Sequence, residues 1–117
     1  MGQDISYQLL LALDRPLFLQ VGRLGAFDFP AGRYVYTGSA RRHLEARIAR
    51  HQRRAKPLRW HIDALTSVPE CRLMEVIRSP VPECALNQMT GGVVLIPGFG
   101  ASDCTSGCGS HLKYLGK

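Results

Sequence analysis

The chain has 117 residues, of which 45% are hydrophobic, and its formal net charge is +6. This size and composition are typical of one globular domain that buries a core without disulfide bonds. No apolar run approaches the roughly 20 residues of a membrane span, and Asp4 lies where a signal peptide would be basic. We therefore expect a single soluble, cytoplasmic domain with no membrane partner.

The first third of the chain predicts an antiparallel sheet. Residues Tyr7–Leu13 are typical of a strand buried on both faces, and Leu17–Val21 alternates like a second strand. The glycines and proline of residues 22–32 predict a hairpin, and Arg33–Thr37 is the third predicted strand. We expect this sheet to present Tyr36 to the basic segment that follows.

A strand, a glycine turn and a cationic helix are predicted between Tyr34 and Arg54. Gly38 permits a sharp turn, and Ser39 is a good N-cap for the helix. Leu44 and Ile48 are four residues apart and form an apolar stripe on this helix. Spacings of three and four place a second set on a basic face: Arg47, Arg50, His51 and Arg54. A cationic helix whose first N–H groups are unpaired predicts a phosphate-binding site.

Short helices and strands are predicted along the second half of the chain. The predicted helices are Leu58–Thr66 and Glu83–Met89, the predicted strands are Cys71–Arg78, Val93–Ile96 and His111–Leu115, and residues 97–110 form a glycine-rich loop. No internal repeat and no linker interrupts this order, so we expect one domain over residues 1–117.

Basic residues are concentrated in one segment, where only Glu45 opposes them. Eight of the fifteen Lys and Arg residues lie there: Arg41, Arg42, Arg47, Arg50, Arg53, Arg54, Lys56 and Arg59. Seven are arginines, whose guanidinium fork matches phosphate oxygens. We predict that Arg47 is a catalytic residue and that the other seven basic residues contact nucleic acid. A solvated face of a basic protein is the alternative interpretation.

Five residues are candidates for phosphodiester hydrolysis, which needs an activated water, a cation over the developing charge and usually a metal. They are Tyr7, Tyr36, Arg47, His51 and Glu83. Tyr36 can orient a water, or deprotonate it if its pKa is lowered, while Arg47 clamps phosphate and Glu83 binds Mg²⁺. Structural roles also explain these residues: the tyrosines as core, Glu83 as a complement to the helix dipole, and His51 on the helix surface.

The order of several short blocks resembles the GIY-YIG nuclease signature. Residues Tyr36–Ser39 match its second half, and Ile5–Tyr7 stands where the first motif lies. Glu83 followed by Leu86 resembles the helix that carries the family's metal-binding glutamate. Nearly the whole chain is similar to the Uri-type endonuclease-like branch of this superfamily, through the blocks VGRLGAFDFPAG, YVYTGSA, WHID, and GFGASDC followed by SHL.

This resemblance implies a small mixed, largely antiparallel sheet flanked by helices, an α/β (α+β) fold with an added N-terminal hairpin. It implies an endonuclease that uses one Mg²⁺ or Mn²⁺ on DNA, with RNA or branched structures as alternatives. Tyr7 and Tyr36 would position or activate water, Arg47 would stabilise the transition-state charge, Glu83 would bind the metal, and His51 would support the site or contact phosphate. Such small nucleases often need a protein partner for targeting.

The chain departs from the signature at three places. Ile5 replaces the first-motif glycine, the interval from Tyr7 to Tyr36 is long, and the loop from Cys104 to Ser110 is slightly longer than in the branch. These departures keep the candidate catalytic groups.

Two further blocks have more than one interpretation. Cys104, Cys108 and His111 have zinc-like spacing, with a fourth ligand available from Cys71, Cys84 or His61. We favour a loop braced by hydrogen bonds over zinc, because two clear ligand pairs are missing. Trp60 is predicted to pack in the core rather than stack on a base, and His61 to donate to Asp63 or to phosphate. A non-catalytic nucleic-acid-binding module and a zinc-stabilised interaction domain stay open beside the nuclease.

Overall fold

A computed structural model describes residues 3–40, 42–101 and 107–117 of the chain. Within these ranges it contains a four-stranded sheet, a two-stranded sheet and three short α-helices. The elements are β1 (Ser6–Leu13), β2 (Leu17–Val21), a 3-10 turn (Gly22–Leu24), β3 (Gly25–Phe29), β4 (Gly32–Ser39), α1 (Leu44–Gln52), α2 (Asp63–Thr66), β5 (Cys71–Ser79), α3 (Glu83–Met89) and β6 (Leu112–Gly116). The small α+β fold with its largely antiparallel sheet is therefore confirmed.

The larger sheet has the strand order β5-β1-β4-β6, and its pairings are antiparallel. Strand β1 lies in the centre, and its apolar side chains Leu9, Leu11 and Leu13 are buried in the core. The prediction of a strand buried on both faces is confirmed for its first four residues, which are all buried. The apolar run of β1 thus supplies the middle of the domain.

The second sheet is the predicted hairpin. Strands β2 and β3 pair from Leu17 opposite Phe29 to Val21 opposite Gly25, across the 3-10 turn. Only Val21 and Phe29 are fully buried, and α2 contacts β2. The hairpin is therefore an addition at the side of the main sheet, as the fold prediction expected.

The register of β1 against β4 places two tyrosines on one face of the main sheet. Tyr7 pairs with Gly38, and Leu9 pairs with Tyr36. Directly paired residues share a face, so Tyr7 and Tyr36 point to the same side. A Cβ at Gly38 would lie 2.6 Å from the Tyr7 ring and hydroxyl. The predicted turn at Gly38 is therefore wrong: the residue stays in β4, and its missing side chain makes room for Tyr7.

Helix α1 begins later than predicted. Its N-cap is His43, in the left-handed conformation with φ 58°, and no side chain caps the helix. The prediction of Ser39 as N-cap is wrong, because Ser39 is the last residue of β4. The helix ends at Gln52, well before Pro57. Among the helices of the described ranges, none is long and apolar enough to cross a membrane.

The segment between α1 and α2 is organised by the buried carboxylate of Asp63. Its oxygens accept two hydrogen bonds from Arg50, at 2.9 and 3.0 Å, and the backbone N–H groups of Arg59 and Trp60. These contacts hold the approach to α2 in turns, so the predicted helix Leu58–Thr66 is wrong except for its last four residues. Burial alone would raise the pKa of Asp63, but the Arg50 and backbone hydrogen bonds outweigh it and lower the pKa.

The remaining elements follow the predictions with one exception. Strand β5 and helix α3 match the predicted ranges closely, and β6 is shifted by one residue. The predicted strand Val93–Ile96 is wrong, because this segment makes only an isolated bridge between Val93 and Tyr114. Val93, Val94 and Leu95 are exposed, so the segment does not bury one face against the core as a strand of a packed sheet does.

Replacing Asp63 with asparagine is expected to destabilise the fold by about 3–5 kcal/mol, since it breaks a buried ion pair and leaves the Arg50 charge uncompensated. Urea unfolding of the variant measures this. The matched control is Asp14→Asn, because Asp14 pairs with Arg72 at 3.0 Å but is 52% exposed. That change should cost less than about 1 kcal/mol. Equal losses in the two variants would contradict the organising role of Asp63.

Candidate active site

A cleft of about 350 Å³ opens beside the two tyrosines. Its lining residues come from segments that are far apart in the chain: Tyr7, Tyr36, Ser39, Arg47, Arg59, Trp60, His61, Glu83, Gly100 and His111. Four of the five predicted catalytic and metal-binding residues, Tyr7, Tyr36, Arg47 and Glu83, therefore lie around one cavity. Their catalytic roles stay predictions, but the spatial convergence that those roles require is present.

The two tyrosines form the buried wall of the cleft. Their ring centroids lie 6.5 Å apart, and their exposed fractions are 1% for Tyr7 and 8% for Tyr36. Burial raises the pKa of each phenol well above its ordinary value; the proximity of Tyr36 and Glu83 raises the pKa of Tyr7 further, and that of Glu83 raises the pKa of Tyr36. The lowered pKa on which the water-deprotonating role of Tyr36 depended is therefore absent, and both hydroxyls stay protonated at neutral pH.

His51 lies beneath the tyrosines and does not line the cleft. Its Nε2 is 2.7 Å from the Tyr7 hydroxyl oxygen, and only 1% of the residue is exposed. Burial, reinforced by the Lys56 charge, lowers the pKa of His51 to about 4, so the ring is neutral at pH 7. The helix-surface interpretation is therefore wrong, as is direct phosphate contact, while support of the site agrees with the Tyr7 contact.

Trp60, Arg47 and Arg59 also line the cleft, and three arginines contact the Trp60 ring. The guanidinium carbons of Arg47, Arg50 and Arg59 lie 4.9, 4.3 and 5.8 Å from the Trp60 ring centroid. One nitrogen of Arg47 also donates to the Ser39 carbonyl oxygen at 2.9 Å. Trp60 packs partly against the core, as predicted, but it also lines the cleft and fixes the directions of cationic side chains.

Glu83, the first residue of α3, presents a half-buried carboxylate to the cleft. Its Oε2 lies 3.0 Å from Nδ1 of His111, and the two side chains are 26% and 1% exposed. His111 precedes β6, so a loop residue from the end of the chain orients the carboxylate. The sequence analysis considered His111 as a zinc ligand and a loop brace, and no local signal in the sequence links it to Glu83.

His61 contributes a proton donor that the sequence analysis assigned differently. Its Nδ1 accepts a hydrogen bond of 2.8 Å from the backbone N–H of Gly100. Because a backbone N–H only donates, Nδ1 carries no proton here and the ring proton lies on Nε2. His61 also lines the cleft. Donation to Asp63 is wrong, since Asp63 is bound by Arg50 and backbone groups. A phosphate contact by His61 stays a prediction.

The predicted nucleic-acid contacts fall into two groups. Arg42, Arg53, Arg54 and Arg59 are exposed, and Arg54 also donates to the Val68 carbonyl oxygen. Arg50 and Lys56 are instead used inside the fold: Arg50 binds Asp63, and Lys56 donates to the last carbonyls of α1 and to Thr66. The Lys56 side chain is 0% exposed, so its predicted phosphate contact is corrected to helix capping. Arg41 lies outside the described residues.

The cysteines and His111 are arranged differently from the predicted set. Potential ligand atoms of Cys84, Cys108 and His111 lie within 4.8 Å of one another, whereas Cys104 lies outside the described residues. Cys71 is not part of this group, and burial raises its pKa to about 11, which makes it an inert thiol. Ser110 braces the glycine loop through Phe99 and Leu112, as the hydrogen-bonding alternative expected.

One protein-family model, described as a domain of unknown function, DUF123, matches residues 6–117. The chain belongs to this DUF123 family. No curated protein and no solved structure matches the chain. The DUF123 match covers every residue that lines the cleft, so the site lies within the family domain.

The cleft of this DUF123 domain combines one carboxylate, protonated phenols and fixed cations. The guanidinium groups of Arg47 and Arg59 and the hydroxyl groups of the two tyrosines, which all line the cleft, suit a phosphate or another oxyanion. The carboxylate of Glu83 suits a hard divalent cation. This chemistry predicts an anionic ligand, with a metal ion as the counterpart of Glu83.

The neutral state of His51 predicts a pH-dependent stability. Its folded-state pKa of about 4 lies below the ordinary value of 6.5. Below pH 6.5 His51 is therefore protonated in the unfolded chain but stays neutral in the folded chain. The free energy of unfolding thus falls as the pH drops from 6.5 to 4. The contribution lost is about 3 kcal/mol. Urea unfolding at several pH values measures it.

The control for this experiment is His51→Gln, which keeps a polar side chain but does not titrate. The difference in unfolding free energy between the two proteins should shrink as the pH falls through this window, since only the wild type loses the histidine contribution. A difference that is constant from pH 7 to pH 4.5 would show that His51 is not held neutral.

Proposed function

We propose that this domain is a metal-dependent endonuclease of the GIY-YIG type that hydrolyses phosphodiester bonds in DNA. One observation supports the proposal most strongly: Tyr7, Tyr36, Arg47 and Glu83 come from β1, β4, α1 and α3, yet line a single cleft. These are the positions at which the sequence resembles that nuclease signature. The description of the DUF123 family names no activity, so the proposal rests on the site and the resemblance.

The chemistry of Glu83 fits one Mg²⁺ or Mn²⁺. Its Oε2 faces His111, and its Oε1 has no hydrogen-bond partner among the described residues. Magnesium prefers oxygen ligands and commonly keeps most of its waters, so one carboxylate in a polar cleft is an adequate protein contribution. When bound, the ion supplies charge at the phosphate and lowers the pKa of a coordinated water.

Arg47 is proposed to hold the phosphate group that is cleaved. The Ser39 carbonyl and the Trp60 ring fix its direction, so little side-chain freedom is lost when phosphate binds. Its guanidinium then stabilises the negative charge that develops on the non-bridging oxygens. His61, whose Nε2 carries the proton, is placed on the same cleft as a second donor.

Tyr7 and Tyr36 are proposed to orient the water and the phosphate through their hydroxyl groups, as protonated phenols. We assign the His51 proton to Nε2, because Nδ1 is buried without a partner among the described residues and an orphaned N–H there would be costly. Nε2 then donates to the Tyr7 oxygen, and the Tyr7 hydroxyl proton is available to the cleft. His51 is thus a positioning residue.

Arginine and glutamate substitutions test the catalytic proposal. Nicked, branched and single-stranded DNA, with matched RNA strands, are incubated with the protein in Mg²⁺ or Mn²⁺. Arg47→Ala should lower the cleavage rate about 100- to 1000-fold, as expected for loss of one transition-state donor. Arg47→Lys should recover only part of this, because it keeps the charge but loses the fork. Glu83→Gln should abolish metal-dependent cleavage.

The matched control is Arg23→Ala, which removes an exposed arginine that does not line the cleft. Its cleavage rate should equal that of the wild type. Cleavage that survives both Arg47→Ala and Glu83→Gln would identify a contaminant. Binding by the wild type without cleavage of any substrate in either metal would replace the nuclease proposal with a non-catalytic binding module.

Salt dependence tests the exposed arginines as a docking surface for DNA. On duplex DNA the log–log slope of affinity against salt is about −0.9 per phosphate neutralised. The combined change of Arg42, Arg53 and Arg59 to alanine should make the slope less steep by about one for each arginine that contacts phosphate. The control is the pair Arg15→Ala and Arg23→Ala, two residues outside the segment from Arg42 to Arg59. An unchanged slope in the triple variant would exclude this surface.

A further inference from the structure

Two thiols and one imidazole meet at the end of α3 that borders the cleft. Cys84 lies in the first turn of α3, Cys108 lies in the glycine loop, and His111 lies just before β6. The three potential ligand atoms lie within 4.8 Å of one another. His111 is buried, and both cysteines are half-buried, so the group is shielded without being sealed from solvent. We propose that Cys84, Cys108 and His111 bind one zinc ion.

The distances are close to those of a tetrahedral zinc site. Bonds of about 2.3 Å to sulfur and about 2.0–2.1 Å to nitrogen place a sulfur and a nitrogen ligand about 3.6 Å apart, and two sulfurs about 3.8 Å apart. Cys84 Sγ lies 4.0 Å from His111 Nε2. Side-chain movements of about 1 Å or less bring all three atoms into coordination, which rotamer adjustment of half-buried cysteines permits.

The donor set selects zinc over the hard cation proposed for the cleft. Thiolates and imidazole are soft or borderline ligands, and tetrahedral sites with sulfur and nitrogen are typical of Zn²⁺. Mg²⁺ and Mn²⁺ take oxygen ligands, which Glu83 presents on the neighbouring surface. The two sites are therefore chemically distinct, although they lie on either side of one histidine.

The second nitrogen of His111 supplies an independent argument. Its Nδ1 lies 3.0 Å from Glu83 Oε2, while its Nε2 faces Cys84. A zinc-bound histidine usually donates its other N–H to a carboxylate, which fixes the ring and makes it a better ligand. Gln88 adds a similar contact, since its Nε2 donates to Cys108 Sγ at 3.7 Å. The cluster thus has both ligands and the outer partners that orient ligands.

This arrangement reverses the preference that the sequence alone gave. The sequence indicated Cys104, Cys108 and His111 as three possible ligands and left the fourth open among Cys71, Cys84 and His61. The fold selects Cys84 from these, because it brings this residue to Cys108, 24 residues away in the chain, and to His111. Zinc would fix the glycine loop and β6 to α3. Through His111 it would also fix the direction of the Glu83 carboxylate, so zinc is a positioning element for the cleft.

Metal analysis of untagged protein tests the site directly. The wild type, purified without added metal or chelator, should contain one equivalent of zinc as measured by inductively coupled plasma mass spectrometry. Cys84→Ser and Cys108→Ser should each lose it, and cobalt-substituted wild type should show thiolate-to-cobalt charge-transfer absorption that both variants lack. Glu83→Gln should retain zinc but bind it about 10- to 100-fold more weakly in competition with a chelator, as expected for loss of an outer partner.

The matched control is Cys71→Ser, which removes a buried thiol outside the cluster and should leave the zinc content unchanged. Wild type that contains no zinc and takes up neither zinc nor cobalt overturns the proposal. So does zinc that persists in both Cys84→Ser and Cys108→Ser. Because the readout is metal content, a failed nuclease assay does not affect the result.

Discussion

The register between β1 and β4 is the constraint on which the cleft depends. It sets Tyr7 opposite Gly38 and Tyr36 opposite Leu9, so both phenols lie on the face that α1 covers through His51. A slip of one residue would turn every side chain of a strand to the other face. The absence of a side chain at Gly38 favours the observed register, because a Cβ there would occupy the position of the Tyr7 ring. One glycine thus couples the sheet to the site.

The Trp60 side of the cleft depends on Asp63 as well as on α1. The carboxylate neutralises Arg50, holds the backbone of Arg59 and Trp60, and lies 4.0 Å from Lys56. Trp60 is thereby fixed among three guanidinium groups. The basic segment therefore divides into charges that build the fold and charges that face solvent, and only the second group is available to an anionic partner.

The two sides of the cleft differ in charge: the tyrosine side is neutral, and the Trp60 side carries arginines. On the tyrosine side, burial keeps the phenols protonated and His51 neutral, so this wall offers hydroxyl groups without charge. On the Trp60 side, Arg47 and Arg59 contribute guanidinium groups to the lining. Glu83 also lines the cleft and is oriented by His111. An enzyme with this site would act by positioning and electrostatics more than by a strong side-chain base.

The sequence by itself determined the local elements and the chemical groups. A continuous apolar run predicted β1, and the shortness of its segment predicted β5 as a strand. The prolines and glycines marked the ends of α1 and α3, and the concentration of arginine marked the cationic surface. The sequence-based predictions were wrong where the conformation of a segment depends on a contact with a residue outside it. Gly38 was predicted as a turn, although its missing side chain accommodates Tyr7, and residues 58–62 were predicted as helix, although Asp63 holds them in turns.

Only the tertiary structure decided which of these groups meet. The Tyr7–His51 bond joins residues 44 apart, and the Glu83–His111 contact joins residues 28 apart. Nothing in the local sequence encodes such contacts, because helix and strand periodicity fixes which face a side chain occupies but not which face lies opposite. The same limit applies to Lys56, whose charge suggested solvent exposure until folding placed it at the end of α1. Composition supplied the groups, and packing assigned their partners.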